Sequence, residues 1–206
     1  MNKTTIASTS IRGPADHEIR NQIVAAANQH FSQYGYSKTT VSDLAKAIGF
    51  SKAYIYKFFD SKQAIGEAIC ANCLAQMIAA VEQEINVGGL TPTERLRRLL
   101  KTLVATGVNL FFSERKLYDI AAFAASENWP CAQQYDALIR DFVVQIVREG
   151  RELGEFERKT PLDETVDAIH LALRPFVNPL LLQYNLDVVE VAPVLTSNLI
   201  LRSLMP

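Results

Sequence analysis

Two helix starts sit eleven positions apart, at Thr40 and Ser51, with a single glycine between them. Thr40 and Asp43 form a Thr-x-x-Asp capping box, in which hydroxyl and carboxylate each take an amide of the opening turn. Val41, Leu44, Ala45 and Ile48 follow at steps of three and four, one apolar helix face. Gly49 stops that helix, because glycine enters the left-handed conformation without strain. Ser51 caps the next helix, expected to run to about Phe58. Two short helices joined by "AIGFS" read as a helix-turn-helix, or as a plain helical hairpin within a bundle.

The rest of the chain is also helical by pattern. Ile19, Ile23, Ala26, Ala27, His30, Phe31 and Tyr34 mark one face of a preceding helix, with Pro14 in its first turn and Gly35 past its end. Asp60 or Ser61 caps a fourth helix, about 61–86, apolar on nearly all sides from Ala68 to Val81 and therefore buried on more than one side. "TPTE" at Thr91–Glu94 starts a helix to about Phe112. Further helices are expected over about 114–127, 130–152, from "TPLD" at Thr160–Asp163 onward, and over 187–204, with a kink or break at Pro175 and Pro179. No alternating strand pattern and no repeat is present. The fold class is all-α: a tail over 1–13, a three-helix head over 14–62 and a larger helical body over 63–206.

Charge is uneven along the chain. Residues 1–62 carry eight Lys or Arg against four Asp or Glu, while residues 63–206 carry thirteen against eighteen. A basic head of that kind suits a polyanion. Met1–Pro14 has no apolar secretory core, and the apolar uncharged run between Glu67 and Glu82 is shorter than a bilayer needs. Three cysteines point to a reducing cytoplasm without a disulfide framework. No membrane partner is expected.

The helix after Ser51 has two faces. Ile55 and Phe59, four apart, face inward, with Tyr56 partly on that side. Lys52, Ala53, Tyr54, Lys57 and Phe58 are left for the outer surface. A helix serving only a core does not leave two aromatics and two lysines outside. A helix reading DNA does, since lysines meet phosphates and tyrosine offers a hydroxyl and a ring edge.

These residues carry a resemblance. Thr39–Ile69 resembles the N-terminal signature of the TetR family of bacterial transcriptional regulators, roughly Thr-Thr-x-x-x-Ile-Ala-x-x-Ala-Gly-Val-Ser-x-Gly-x-Leu-Tyr-x-Tyr-Phe-x-Ser-Lys-x-x-Leu. Thr39, Thr40, Ala45, Gly49, Ser51, Tyr56, Phe59, Ser61 and Lys62 match it. The resemblance covers about residues 14–69. It implies a DNA-binding head, a ligand-binding and dimerisation body, and repression relieved by a small effector. It places Thr39, Thr40, Tyr56 and Lys62 on phosphates and Lys52, Ala53 and Tyr54 toward bases. Ser51 and Lys57 complete the expected surface. Ala53 stands where the family often has glycine, and Tyr54 where it often has a small residue, so the operator sequence is open.

The body carries weaker signals. Cys70 and Cys73 form Cys-x-x-Cys inside an apolar helix, read as small buried side chains, with a thiol switch as the alternative. Asp163, Asp167 and His170 share a helix face, but acids at a helix start are favoured by the dipole alone, and no metal or other cofactor is expected. Phe111, Phe112, Tyr118, Phe123, Trp129 and Tyr135 are core or pocket residues, with His170 and Arg174 as polar tips for a small apolar or aromatic effector. Similar proteins dimerise through their last long helices. Val166, Ile169, Leu173, Leu180, Leu181, Tyr184, Leu195, Leu199 and Ile200 are candidates for that face, the alternative being an internal core. A homodimer implies a near-palindromic operator. A DNA-binding architectural or cell-cycle factor on the same fold is the competing reading. No nucleophile, P-loop, dinucleotide or zinc-protease motif suggests an enzyme.

Overall fold

A computed structural model describes residues 14–113 and 117–206. The expected tail over 1–13 lies outside the described residues. Every described element is helical. The head comprises α1 (Pro14–Tyr34), α2 (Val41–Ile48) and α3 (Lys52–Ile55). The body comprises α4 (Lys62–Ile85), α5 (Pro92–Val108), α6 (Tyr118–Ser126), α7 (Pro130–Glu152), α8 (Leu162–Val177), α9 (Pro179–Leu182) and α10 (Ala192–Ser203).

The head forms as its caps dictate. Thr40 and Asp43 exchange both capping-box hydrogen bonds, and Gly49 ends α2 at φ 77°. Ser51 Oγ accepts from the Tyr54 amide and Ser61 Oγ from the Ala64 amide. Regular helix in α3 stops at Ile55, and turns carry the chain to Phe58, shorter than the pattern suggests. Ile23, Ala27 and Phe31 of α1 close on Val41, Leu44 and Ala45 of α2 and on Ile55 and Phe59.

Helix α4 belongs to both parts. It packs on α1 in the head and on α5, α6 and α7 in the body. By length and hydropathy it would pass for a membrane-crossing helix. Here Ile65, Ile69, Leu74, Met77, Ile78, Val81 and Ile85 are buried within the protein instead. The boundary expected at residue 62 therefore falls at the first residue of a helix that continues into the body.

One sequence expectation fails for a local reason, and another holds at one of its two positions. "TPLD" does not cap like "TPTE". Glu157 accepts from the Thr160 amide, Pro161 itself takes the cap position, and α8 starts at Leu162 without a side-chain cap. Pro175 lies inside α8 without ending it, and the break comes at Asn178, whose side chain caps α9.

Gly150 of α7 lies under the buried Phe156 ring, and a Cβ there would overlap the edge of that ring. Gly150→Ala is expected to lower stability by about 1–3 kcal/mol, because a packed core accommodates extra volume only by strain. The measurement is the urea midpoint at unchanged slope. An unshifted midpoint would show that Phe156 moves aside freely.

Candidate DNA-binding surface and body cavities

Aromatic packing stiffens the outer face of the head. The Tyr54 ring lies between Phe50, at 5.0 Å, and Phe58, at 5.4 Å, both edge-on. Lys57 Nζ sits 5.4 Å above Tyr54 and Lys52 Nζ 5.7 Å from the Tyr56 ring. Lys52, Ala53, Tyr56 and Lys57 are exposed together. Tyr54 and Phe58 are only half-exposed, so the stack, and not a free side chain, is what Tyr54 presents.

Three predicted contacts have prior structural duties. Thr39 is 2% exposed, and its hydroxyl donates to the Gly35 carbonyl at 2.8 Å. That hydroxyl is engaged inside the head. Thr40 donates its hydroxyl to Asp43 Oδ2 at 2.7 Å, and the Thr40 hydrogen bonds hold the Asp43 carboxyl below the usual carboxylate range. Lys62 Nζ donates to the carbonyls of Tyr36 and Thr39 at 3.1 and 3.2 Å and lies 4.4 Å above the Tyr36 ring. It ties the start of α4 to the loop before α2, a role no local pattern signals.

Tyr36 is the pivot between head and body. Its ring packs on Phe31 of α1, Phe123 of α6 and Trp129 just before α7. Burial, with Glu67 nearby, pushes its phenol up to about 12. Gly66 of α4 lies beneath, and a Cβ there would stand 2.9 Å from the Tyr36 ring and 3.0 Å from that of Trp129. Close approach of α4 to both rings thus requires glycine.

The expected pocket residues separate. Phe111 and Trp129 are core, and Phe112 stacks on Tyr118. Phe123 and Trp129 serve the Tyr36 junction. None of these five lines the clefts described below. Tyr135, His170 and Arg174 do come together, with Asn128, Gln133 and Asp136, around a cleft of about 390 Å³ between α7 and α8. The buried Tyr135 hydroxyl has no hydrogen-bond partner, and burial raises its pKa. His170 Nε2 is 3.1 Å from Asp136 Oδ1, outside hydrogen-bonding geometry. Arg140 engages Asp167 at 2.9 Å, so the Asp163, Asp167 and His170 face does not converge. A larger groove, about 570 Å³, runs between α5 and the α10 region past Val104, Val108, Val189 and Pro193. Sequence reasoning missed it, since its walls lie far apart in the chain.

The expected dimer residues also divide. Val166, Ile169, Leu173 and Ile200 are buried within this chain, which corrects their assignment to an interface. Leu180 is half-buried. Leu181, Tyr184, Leu195 and Leu199 are exposed. Leu171, Val191 and Val194 join them outside, unpredicted because only packing shows which helix face is covered.

A capped helix-turn-helix with a basic, aromatic outer face, set on a cleft-bearing helical body, defines a DNA-binding regulator. The sequence model for "Bacterial regulatory proteins, tetR family" matches residues 23–69, and that for "Tetracyclin repressor-like, C-terminal domain" matches residues 92–188. The chain belongs to the TetR family of bacterial transcriptional regulators. It is 36% identical over 69 residues to the HTH-type transcriptional repressor Rv1474c of Mycobacterium tuberculosis, a match over 34% of this chain and 37% of that protein. The chain thus spans little more than a third of that relative's length. With the HTH-type transcriptional repressor DhaR of Mycobacterium sp. strain GP1 it shares 24% over 153 residues, 72% of this chain and 75% of that one. The crystal structure of the TetR family regulator PfmR from Thermus thermophilus superposes with a TM-score of 0.57 at 26% identity, covering 89% of this chain and 99% of that one.

Proposed function

We propose that the protein is a homodimeric repressor of the bacterial cytoplasm that leaves a near-palindromic operator when a small effector binds its body. The observation that carries this reading is the joint exposure of Lys52, Ala53, Tyr56 and Lys57 on a head continuous with the body through α4. Lys57 and the Tyr56 hydroxyl supply phosphate contacts, Lys52 is moved from the bases to a phosphate because its amine lies against the Tyr56 ring, and the edge of Tyr54 supplies base-facing apolar surface. Ser51 fixes the start of the recognition helix. Lys62 acts from behind, holding α4 against the loop at Thr39.

The effector is a small, largely apolar or aromatic molecule with a hydrogen-bonding group. The cleft holding Tyr135, His170 and Arg174 supports it, since an orphaned buried hydroxyl is costly until a ligand pairs it. A factor without an effector has no use for such a cleft. An effector acts only by favouring one head arrangement over another. The chemistry offered is recognition, and the reading is non-enzymatic.

The test is footprinting on DNA upstream of the protein's own coding sequence, followed by a screen for compounds that release it. Protection of two symmetric half-sites, and release that Tyr135→Phe weakens about tenfold through loss of one hydrogen bond, is the expected result. A footprint on one asymmetric half-site would overturn the dimeric reading. Release indifferent to Tyr135, His170 and Arg174 would overturn the assigned cleft.

A further inference from the structure

The cysteine that matters most to Cys70 is not its neighbour in Cys-x-x-Cys. Cys70 and Cys73 stand three apart on one helix, where Cβ atoms lie roughly 5–6 Å apart. A disulfide holds its Cβ atoms at roughly 3.5–4.5 Å, so that pair closes only by unwinding α4. Cys70 instead faces the start of α7, where Cys131 is the second residue: Gly66, one turn before Cys70 on the same face of α4, lies against Trp129, and Leu74, one turn after it, shares a cleft with Cys131. Cys131 lines the cleft of about 200 Å³ between these helices with Ala71, Leu74 and Ala75, and through it reaches solvent. Cys70 is buried and Cys131 half-exposed.

We propose that Cys70 and Cys131 are a peroxide-oxidisable thiol pair, a modification site that joins α4 to α7 by a disulfide. The chemistry assigns each sulfur a part. Cys70 beside it, with the amides of Cys131 and Ala132 at the start of α7, holds the Cys131 thiol below its ordinary range. The neighbouring Cys131, then burial, push Cys70 up. Cys131 is thus the attacking thiolate and Cys70 the resolving thiol. The Cys131 sulfur attacks hydrogen peroxide, the O–O bond breaks, one water leaves after protonation, and Cys131 becomes a sulfenic acid. The Cys70 sulfur then attacks the Cys131 sulfur, the S–O bond breaks and a second water leaves. Two thiols and one hydrogen peroxide give one disulfide and two waters, with two electrons passing from sulfur to peroxide.

Position gives the bond a consequence. Cys70 is one helical turn beyond Gly66, and Cys131 is two residues beyond Trp129, whose ring rests on Gly66 beside Tyr36. Drawing Cys70 to Cys131 shifts α4 against α7 next to the head–body junction. That consequence rests on the DNA-binding reading above, whereas disulfide formation does not.

The experiment treats the reduced full-length protein with limiting hydrogen peroxide. Intact mass, tryptic mapping and binding to an operator fragment follow. Wild type and Cys73→Ala should lose the mass of two hydrogens and link peptide 63–95 to peptide 117–140. Cys131→Ala should stay reduced. Cys70→Ala should accumulate a sulfenic acid at Cys131 that dimedone traps. Circular dichroism checks that each variant is folded. A link within peptide 63–95, a link between two chains, or a Cys131 no more reactive than Cys73 would overturn the pair. Operator affinity should change about tenfold on oxidation and return with dithiothreitol. A disulfide that forms with affinity unchanged would overturn the coupling to the head. Absence of DNA binding in both redox states would instead overturn the DNA-binding reading and leave the thiol result standing.

Discussion

Leu195→Glu combined with Leu199→Glu is expected to yield a folded monomer with operator affinity reduced at least a hundredfold. Helix α10 packs Ser197 and Ile200 inward, and it contacts α5. Its opposite side carries Val191, Leu195 and Leu199 in one line at four-residue steps, 53%, 64% and 71% exposed. Tyr184, 78% exposed, and Leu181 are also exposed in the preceding segment. Monomeric proteins seldom leave such a contiguous apolar face in water. In a two-fold dimer each substitution counts twice, so four leucine side chains are lost from one interface. At roughly 1.5 kcal/mol each, dimerisation weakens by about 6 kcal/mol, on the order of 10⁴ in its constant. The introduced carboxylates repel across the axis and add to this. A lone small head buries too little surface for tight binding, so operator affinity falls with the dimer. Leu153→Glu is the control, as Leu153 is 65% exposed but lies at the end of α7. Sedimentation and operator titration make the measurement. A double variant that still sediments as a dimer would remove α10 from the interface.

Local chemistry made the head legible. The caps at Thr40, Ser51 and Ser61 and the stop at Gly49 are decided within four residues, so their spacing alone locates three helix starts and a turn. The inward pair Ile55 and Phe59 follows from helical periodicity and is fully covered. Long-range choices were not legible. Periodicity marks Val166, Ile169 and Leu173 as an apolar face, but their cover comes from this chain, not from a second copy. Lys62 reads as a free cation until the carbonyls of Tyr36 and Thr39 arrive from more than twenty residues away. Cys131 gives no signal beside Cys70 in a sequence that separates them by sixty-one positions. His170 and Asp136 meet only because α7 and α8 pack together. In each case the deciding partner is set by tertiary packing, which propensity and spacing do not encode.

Replacing both Lys52 and Lys57 by alanine should weaken operator and random DNA alike and flatten the salt dependence of binding. Both lysines are exposed, and neither has an acidic partner among the described ion pairs. Each is held near a tyrosine ring, Lys52 by Tyr56 and Lys57 by Tyr54, which limits the side-chain freedom lost on meeting a phosphate. Each phosphate neutralised releases condensed counterions, contributing roughly 0.9 to the slope of log affinity against log salt. Two heads with two lysines each give about four such contacts, so the slope should fall by roughly three to four units. Affinity at moderate salt should fall by on the order of 10²–10³, nearly equally on specific and non-specific sequences. The fold should hold, since the Tyr54 stack on Phe50 and Phe58 does not need either amine. Arg97→Ala with Lys101→Ala, two exposed basic residues of α5, should leave the slope unchanged. Titration of operator and random duplexes across a salt series measures both. If the α5 pair flattens the slope and the α3 pair does not, DNA lies along the body, and the head is not the surface that binds it.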